Sequence, residues 1–439
     1  MKKPFAVGLA LLAGSLVLTA CSSSSPGTTT TTTPPASSAT TSTSSSAPVS
    51  SSSTATPMPT RGDADLVIWA DQNRTNALQA PLAAWAQTQG IKAVVQTIAD
   101  NLQGNFVTAN QAKNGPDIVI GAQDWVGKLV QNNSIVPVQI SATGVSQTAI
   151  DAMKYGGQTY GAPYAIETLG LFANKTLTAN TAPATIEDMV AAAKAGVGGK
   201  VAENPLCLQV GQKGDAYHMQ PLFTSGGGYI FGTNADGTYN TKDVGVGTAG
   251  GIAAATKISE LAKAGVLKNS IDGNNSIQLF AQGKCAYLVS GPWALGTMKD
   301  ATMDMANVVL GPIPGFAGMG TAKPPLGVQG FFVASNAKNA TAAQQFLTDL
   351  LKDTTITKAM NDKDSRVPAQ QALADQLKTS DPMLMQFLDI AKNAQAMPNV
   401  PAMDAVWTPL GEAQAAVVGG ADPASTMTAA AQQIATAVG

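Results

Sequence analysis

Residues 66–98 read LVIWADQNRTNALQAPLAAWAQTQGIKAVVQTI and contain two kinds of apolar pattern. The run at 66–69 is short and continuous, as in a buried strand. Apolar residues then recur at helical spacing until Gly90, a residue that commonly ends helices. A second strand-like run follows at 91–98. This segment therefore predicts a strand, a helix and a second strand.

A helical stretch around Phe106 and a third strand-like run at 117–120 extend this pattern. The order strand, helix, strand, helix, strand predicts a parallel sheet that binds ligands at the carboxyl ends of its strands. The second half has similar signals, with Thr185 and Thr341 opening two helices and Pro292 in the first turn of another. The chain is long enough for two domains, so we predict an α/β fold with two lobes and a cleft between them.

The N-terminus has the pattern of a bacterial lipoprotein signal. Two lysines precede an apolar run from Phe5 to Leu18, and small residues lead up to Cys21. We predict from this pattern a signal peptide over 1–20 and lipid attachment at Cys21. Two acyl chains on this cysteine would anchor the protein stably in the membrane. The alternative is an ordinary signal peptide with an incidental cysteine. No later apolar run reaches about 18 residues, the length that a membrane helix needs.

Residues 21–60 begin with this cysteine and are otherwise almost entirely Ser, Thr, Pro and Ala, without charge. Such a composition cannot build a core, and it predicts a disordered stalk. A glycosylated, mucin-like stalk is an open alternative. We therefore expect an extracytoplasmic protein on the outer face of the cell membrane, attached by its lipid.

Charge is sparse and nearly balanced in this sequence. The chain has 26 Lys+Arg residues and 28 Asp+Glu residues, which gives a net charge of −2. A basic surface is therefore not expected, and nucleic acid is not an expected partner. The single histidine, His218, argues against a histidine-based metal centre or a catalytic triad, and we expect no metal and no cofactor. Cys207 and Cys285 remain after processing, and an exported chain meets oxidising conditions, so we expect a disulfide between them.

Six blocks, collinear from residue 66 towards the C-terminus, resemble the maltose/maltodextrin-binding proteins, which are solute-binding proteins of ABC importers. The blocks are LVIW (66–69), GPDI (115–118), GAPYAIETLGLFANK (161–175), KDVGV (242–246), SGPWA (290–294) and MPNVP (397–401). The resemblance implies a hinged type II periplasmic-binding fold. It also implies a monomer that captures α-linked glucosides of the maltodextrin type and delivers them to membrane permease subunits.

The same resemblance implies that the chain crosses three times between the lobes. The expected hinge crossings are 166–169, 326–330 and 377–382. The expected N-terminal lobe comprises 61–165 and 331–376, and the expected C-terminal lobe comprises 170–325 and 383–439.

In the proteins that this chain resembles, aromatic rings stack on sugar rings while charged and amide groups bind hydroxyls. The matching aromatic residues are Tyr217, Trp293 and Trp407, and the matching polar residues are Asn73, Arg74, Asp124, Glu167 and Asp215. The chemistry is suitable, because a pyranose ring has a face of C–H groups that packs on an aromatic plane. Charged groups also bind hydroxyls more strongly than neutral groups do.

Four positions depart from the family pattern. Arg74 stands where the family has lysine, and Asp215 stands where it has the longer glutamate. Gly121 replaces an aromatic residue after the third strand, and Trp125 replaces an arginine. We interpret Trp125 as a stacking platform that has moved four residues along, so the pocket near Asp124 should differ in shape from the maltose pattern.

The alternatives to capture of an α-glucoside are an enzyme, a structural lipoprotein and a binding protein for another saccharide. Asp124, Glu167 and Asp215 could supply the two carboxylates of a cell-surface glycoside hydrolase. Nothing in the sequence nominates a carboxyl group with a raised pKa, so we expect no enzyme. A purely structural surface lipoprotein would not explain the aromatic and charged residues. Within the binding class, the alternative ligand is another neutral saccharide, such as trehalose or a cyclic or branched glucan.

Overall fold

The structure is a computed structural model that describes residues 59–439. The predicted signal peptide, Cys21 and stalk residues 22–58 lie outside the described residues. Within 59–439, no helix combines the length and the apolar character needed to cross a membrane.

The strands are, in chain order, β1 Leu66–Ala70, β2 Ala93–Thr97, β3 Ile118–Ala122, β4 Lys154–Tyr155, β5 Gln158–Thr159, β6 Gly161–Glu167, β7 Gly170–Asn174, β8 Asn204–Leu208, β9 Phe231–Thr233, β10 Tyr239–Val244, β11 Cys285–Ser290, β12 Val308–Gly311, β13 Pro325–Val333, β14 Val367–Pro368 and β15 Gln395–Ala396. The α-helices are α1 Gln72–Gln89, α2 Leu102–Gln111, α3 Val126–Gln131, α4 Gln147–Ala152, α5 Ile186–Ala195, α6 Ala216–Ser225, α7 Ala249–Lys263, α8 Ser276–Ala281, α9 Ala294–Asp300, α10 Ala340–Lys352, α11 Thr355–Asn361, α12 Gln371–Ser380, α13 Pro382–Ala391, α14 Trp407–Val418 and α15 Pro423–Val438. Short 3₁₀ helices cover Gln123–Trp125, Gly245–Gly247, Met305–Asn307 and Pro401–Ala405.

Helix α1 begins and ends at residues that suit helix termini. The Asp71 carboxylate accepts a hydrogen bond from the backbone N–H of Arg74 at 2.9 Å, which satisfies an amide without a helical partner. At the other end Gly90 has φ 67°, a left-handed conformation that favours glycine. The predicted end of this helix at Gly90 is therefore confirmed.

Two other predicted helix starts were wrong by about two residues. The Asn339 side chain caps α10 by accepting from the N–H of Ala342 at 3.1 Å, so Thr341 lies inside the first turn. Helix α9 has Trp293 as its N-cap residue. Pro292 therefore lies before the helix and not in its first turn.

The first sheet has the strand order β14-β6-β13-β3-β1-β2, with β15 pairing to the start of β13. Strand β1 is parallel to both β2 and β3, as the alternating sequence pattern predicts. Strand β13 runs antiparallel to β3 and β6, so the whole sheet is mixed and not purely parallel. The carboxyl ends of β1, β3 and β6 lie along one edge of this sheet.

The second sheet has the order β12-β7-β11-β8. Strand β11 is parallel to β8 and antiparallel to β7. A disulfide joins Cys207 on β8 to Cys285 on β11, with the two Cα atoms 5.8 Å apart. This buried bond connects the edge strand β8 to its neighbour β11.

Each sheet has its own buried core. Leu66, Phe331 and Phe346 belong to a cluster on the first sheet, and Tyr287 belongs to a cluster on the second sheet that includes Leu410 of α14. The shortest visible connection between the sheets runs from the end of β6 to the start of β7. The predicted α/β fold with two lobes is thus confirmed, whereas the lobe boundaries and hinge segments stay predictions.

Candidate functional site

The predicted site residues lie at the ends of strands and the beginnings of helices. Asp124 and Trp125 follow β3 in a 3₁₀ helix, and Glu167 is the last residue of β6. On the second lobe, Trp293 follows β11 and Tyr217 lies in the first turn of α6. These positions bring side chains from both lobes towards one region, as expected when ligands bind beyond the carboxyl ends of strands.

Glu167 is held in a buried charged pair. Its Oε1 accepts a hydrogen bond from Gln329 Nε2 at 2.7 Å, and its Oε2 accepts one from Arg366. Arg366 Nε also donates to Asp364 at 2.7 Å. Burial alone lowers the pKa of Arg366, but the charges of Glu167 and Asp364 outweigh burial and hold that pKa well above its usual range.

Arg366 contacts two of the predicted site residues, Glu167 and Trp293, but was not itself predicted from the sequence. The chain contains three arginines, Arg61, Arg74 and Arg366, among many more lysines. Arginine is the cation best suited to buried pairs with carboxylates, and all three form salt bridges. The small number of arginines in the sequence could therefore have indicated that Arg366 pairs with a buried carboxylate. It does not indicate that this carboxylate belongs to Glu167.

An aromatic group lies beside this charged pair. The Arg366 Cζ atom is 5.5 Å from the ring centroid of Trp293, a distance at which cations and indole rings attract each other. The ring of Tyr217 is 6.4 Å from that of Trp293, and the His218 ring is 6.0 Å from it in an edge-to-face arrangement. Tyr217, Trp293, Arg366 and Glu167 thus form one continuous set of contacts.

Asp124 and Trp407 are in direct contact. Trp407 Nε1 donates a hydrogen bond to Asp124 Oδ2 at 3.0 Å. Burial raises the pKa of Asp124 to about 6, although the hydrogen bond from Trp407 acts in the opposite direction. Because α14 packs in the core of the second lobe and Asp124 follows β3 of the first, this bond links the two lobes.

Several buried polar atoms in this region have no hydrogen-bond partner among the described residues. They are Asp124 Oδ1, Tyr217 Oη, His218 Nε2 and Gln329 Oε1. Buried polar groups are normally paired, and leaving one unpaired costs free energy. Burial also raises the pKa of Tyr217 well above its ordinary value, so its hydroxyl keeps its proton and can donate. Within the described residues these four atoms therefore remain unsatisfied.

The indole ring of Trp125 lies against Gly121. A β-carbon added at Gly121 would overlap this ring, so the absence of a side chain there makes room for it. Trp293 has the same relationship with Gly291. Two half-buried indoles therefore each cover a glycine, and each presents a flat apolar surface.

Asp215 is engaged within the protein. Its carboxylate caps α6 by accepting from the backbone N–H of His218 at 2.9 Å, and it also accepts from Gln209 Nε2. Burial alone raises the pKa of Asp215, but His218 and these hydrogen bonds bring it below its ordinary value. The role of Asp215 as a direct ligand contact stays a prediction.

Asn73 and Arg74 both lie in the first turn of α1, and their surroundings differ. Arg74 pairs with Asp71 and donates through Nε to Tyr164 Oη at 3.0 Å. Tyr164 and Arg366 line the same small cavity, so Arg74 lies close to the charged pair. Asn73 is exposed in the first turn of α1, and its role in the site stays a prediction.

Residues 59–439 contain no cluster of three potential metal ligands.

Comparison with known proteins gives a consistent result. A family model described as bacterial extracellular solute-binding protein matches residues 82–386. The chain is 27% identical over 386 residues to a galactooligosaccharide-binding protein of Bacillus subtilis, covering 84% of this chain and 88% of that protein. It is 27% identical over 368 residues to a maltooligosaccharide ABC transporter solute-binding lipoprotein of Streptococcus pneumoniae, covering 79% of this chain and 82% of that protein. It is 28% identical over 317 residues to the maltodextrin-binding protein MdxE of Bacillus subtilis, covering 68% of this chain and 71% of that protein.

Proposed function

Because the chain belongs to the bacterial extracellular solute-binding proteins, we propose that it captures a neutral oligosaccharide outside the cell and delivers it to an ABC importer. The observation that carries this proposal is the continuous set formed by Tyr217, Trp293, Arg366 and Glu167. A saccharide has apolar C–H faces for the two rings and hydroxyls for the charged pair.

The charge balance of the site favours a neutral ligand. The positive Arg366 is already paired with the carboxylates of Glu167 and Asp364. An acidic ligand would have to compete with these carboxylates, and a basic ligand would meet the guanidinium group. Hydroxyl groups can both donate and accept, so they can pair with the buried atoms of Asp124 and Tyr217 that lack partners.

The saccharide that we propose is an α-linked glucose oligomer of the maltodextrin type. Support comes from the aromatic and charged residues that match this family, and from the names of two of the three relatives described above. The name of the third relative, a galactooligosaccharide-binding protein, keeps another neutral oligosaccharide as the alternative. Trehalose and cyclic or branched glucans belong to the same alternative.

We propose that the ligand is enclosed by closure of the two lobes. The hydrogen bond between Trp407 and Asp124 supports this mechanism, because it joins the two sides of the cleft. A sugar lying beside these residues would add contacts that exist only in the closed arrangement. Closure then follows from the higher affinity of the sugar for the closed state than for the open one.

We further propose that the protein acts as a monomeric lipoprotein on the outer face of the cell membrane, attached at Cys21. The signal sequence that ends at Cys21 and the lipoprotein name of one relative support this proposal. Replacing Cys21 by Ala should release the protein from the membrane fraction. Undiminished membrane retention of the Cys21→Ala variant would contradict the anchor.

Isothermal titration calorimetry with a sugar panel tests the proposed ligand. The panel comprises maltose, maltotriose, maltoheptaose, trehalose, a cyclodextrin and a β-linked galactotriose. We expect maltotriose or maltoheptaose to bind most tightly and the sugars to be recovered uncleaved by chromatography. Absence of binding to every member, or accumulation of cleavage products, would contradict the proposed function.

A further inference from the structure

His218 is the one histidine of the chain, and the function proposed above does not use it. Its side chain is buried near the start of α6, with 8% of the residue exposed. The imidazole ring lies 5.4 Å from the ring of Tyr217 and 6.0 Å from that of Trp293, in edge-to-face arrangements. It therefore belongs to the aromatic group that we propose as the sugar platform.

One ring nitrogen is already committed within the protein. His218 Nδ1 lies 3.0 Å from Asp215 Oδ2. An ionised carboxylate can only accept hydrogen bonds, so Nδ1 is the nitrogen that carries a proton in this pair. Asp215 is itself held by Gln209 and by the backbone N–H of His218. This arrangement fixes the plane and direction of the imidazole ring.

The other ring nitrogen, Nε2, is buried and has no hydrogen-bond partner among residues 59–439. A buried nitrogen without a partner is unfavourable unless a ligand supplies one. The adjacent Tyr217 Oη is in the same condition. The two buried, unpaired atoms thus belong to consecutive residues of α6 whose rings pack near the Trp293 ring.

We infer that His218 Nε2 forms a hydrogen bond with one hydroxyl group of the bound saccharide, and that Asp215 is a positioning residue which orients the imidazole. This inference rests on the proposed function, because it names a contact within that sugar site. A hydroxyl is suited to this position, since it can donate to Nε2 when the nitrogen is unprotonated and accept when it is protonated. His218 is therefore a specificity-determining residue for one sugar hydroxyl.

Two variants separate the ring nitrogens. His218→Asn keeps an amide N–H near the position of Nδ1 and removes Nε2, whereas His218→Gln places an amide near the position of Nε2. Against the tightest sugar of the panel, we expect His218→Asn to weaken binding about tenfold or more, and His218→Gln to stay within about threefold of the wild type. Thermal melting of the ligand-free variants reports whether each one folds.

Deoxy analogues identify the contact with the ligand. One monodeoxy analogue of the tightest sugar should bind the wild type about tenfold more weakly than the parent sugar, yet bind His218→Asn as well as the parent does. Additive losses for every analogue, or wild-type affinity in His218→Asn, would overturn the inference while sugar binding itself remained. Failure of the wild type to bind any sugar would overturn both the inference and the proposed function.

Nuclear magnetic resonance tests the inference without relying on a variant. A tagless protein with ¹⁵N-labelled imidazole contains one histidine, so it gives a single pair of ring-nitrogen signals. Saturating sugar should shift the Nε2 signal clearly more than the Nδ1 signal. In Asp215→Asn, which retains a capping side chain, the Nδ1 signal of the ligand-free protein should shift as well. Unchanged Nε2 on sugar binding would overturn the ligand contact, and unchanged Nδ1 in Asp215→Asn would overturn the positioning role.

Discussion

The indole N–H of Trp407 donates a hydrogen bond of 3.0 Å to the Asp124 carboxylate, although the two residues are 283 positions apart in the chain. Trp407 is the first residue of a helix in the second lobe, and Asp124 follows the third strand of the first lobe. Each of these residues was predicted to contact the ligand. In the structure they also contact each other.

The buried carboxyl of Asp124 should make stability depend on pH. Burial raises its pKa from 3.8 to about 6 in the folded protein. The folded state therefore binds the proton of Asp124 more tightly than the unfolded state does. Protonated Asp124 thus contributes stability that is fully present below about pH 4 and is lost as the pH rises through about 6. The expected loss is on the order of 3 kcal/mol.

Asp124→Asn removes this titration and tests it directly. Urea unfolding of the ligand-free proteins should show the variant gaining stability relative to the wild type as the pH rises from 4 to 7. A difference between the two proteins that does not change with pH would contradict the prediction.

The aromatic platforms should supply much of the binding energy. Trp293→Ala and Trp407→Ala are each expected to weaken sugar binding by about 2–4 kcal/mol, because burying a sugar C–H face on an indole removes apolar area from water. Trp407→Phe keeps one aromatic ring but loses the N–H and part of the stacking area, so its loss of affinity should be smaller than that of Trp407→Ala. Calorimetry measures these affinities, with Trp85→Phe, in the core of the first lobe, as the control. Wild-type affinity in either alanine variant would contradict the prediction.

The packing of Trp125 on Gly121 can be tested with a pair of substitutions. Gly121→Ala should push the indole aside, weaken sugar binding by more than about 1 kcal/mol and change the ranking of sugars, as Trp125→Ala should. Gly121 does not have a positive φ, so alanine causes no backbone strain there. Adding Gly121→Ala to Trp125→Ala should therefore cost nothing further in calorimetry. Additive losses of affinity in the double variant, or an unchanged order of sugar affinities in Trp125→Ala, would contradict the interpretation of Trp125 as a relocated stacking platform.

Substituting only Arg366 of the buried Arg366–Glu167 pair should lower the free energy of unfolding more than substituting both residues. Arg366→Met leaves an unpaired buried carboxylate and should lower the free energy of unfolding by about 3–5 kcal/mol. The double variant Arg366→Met with Glu167→Gln should recover part of this loss. Lys358→Ala, which breaks an exposed pair with Asp362, should cost less than about 1 kcal/mol in the same denaturation measurement. Equal losses for Arg366→Met and Lys358→Ala would contradict the importance of the buried pair.

The disulfide should be present in the exported protein. Intact-mass analysis is expected to show a mass lower by two hydrogen atoms than that of the dithiol form, and reduction should restore this mass. Removing both sulfurs with Cys207→Ala and Cys285→Ala should lower the free energy of unfolding by about 2–5 kcal/mol, because the bond closes a long segment of chain. Sugar affinity measured under native conditions should not change. Two alkylatable thiols in the untreated protein would contradict the bond.

The parts of the fold that depend on local pattern were predictable from the sequence. The strand, helix and strand of residues 66–98 are present, and Gly90 ends the helix as its backbone freedom suggests. The antiparallel placement of β13 between β3 and β6 was not predictable in this way. Pairing between distant strands depends on the tertiary fold, which leaves no local pattern in the sequence.

The site shows the same division between local and distant information. Family-matched positions identified Glu167 and Trp293, but the partner of Glu167 is Arg366, 199 residues further along the chain. Asp215 was predicted to be a polar contact of the ligand, and this stays a prediction, whereas its contacts with Gln209 and His218 are visible only in the structure. A sequence shows which residue types are available, and the distances between them come from the fold.

The connection between β6 and β7 has a mechanical consequence. Only Thr168 and Leu169 separate Glu167 from Gly170, and a chain segment of this length reaches roughly 10 Å at most. The two sheets are therefore tethered at this point, and we predict that a rotation of one against the other pivots close to it. Points near a pivot travel the shortest distance, so we predict that Glu167 moves little during such a rotation. On this prediction, a ligand that enters an open cleft would find the Glu167 side chain already in place before the lobes close.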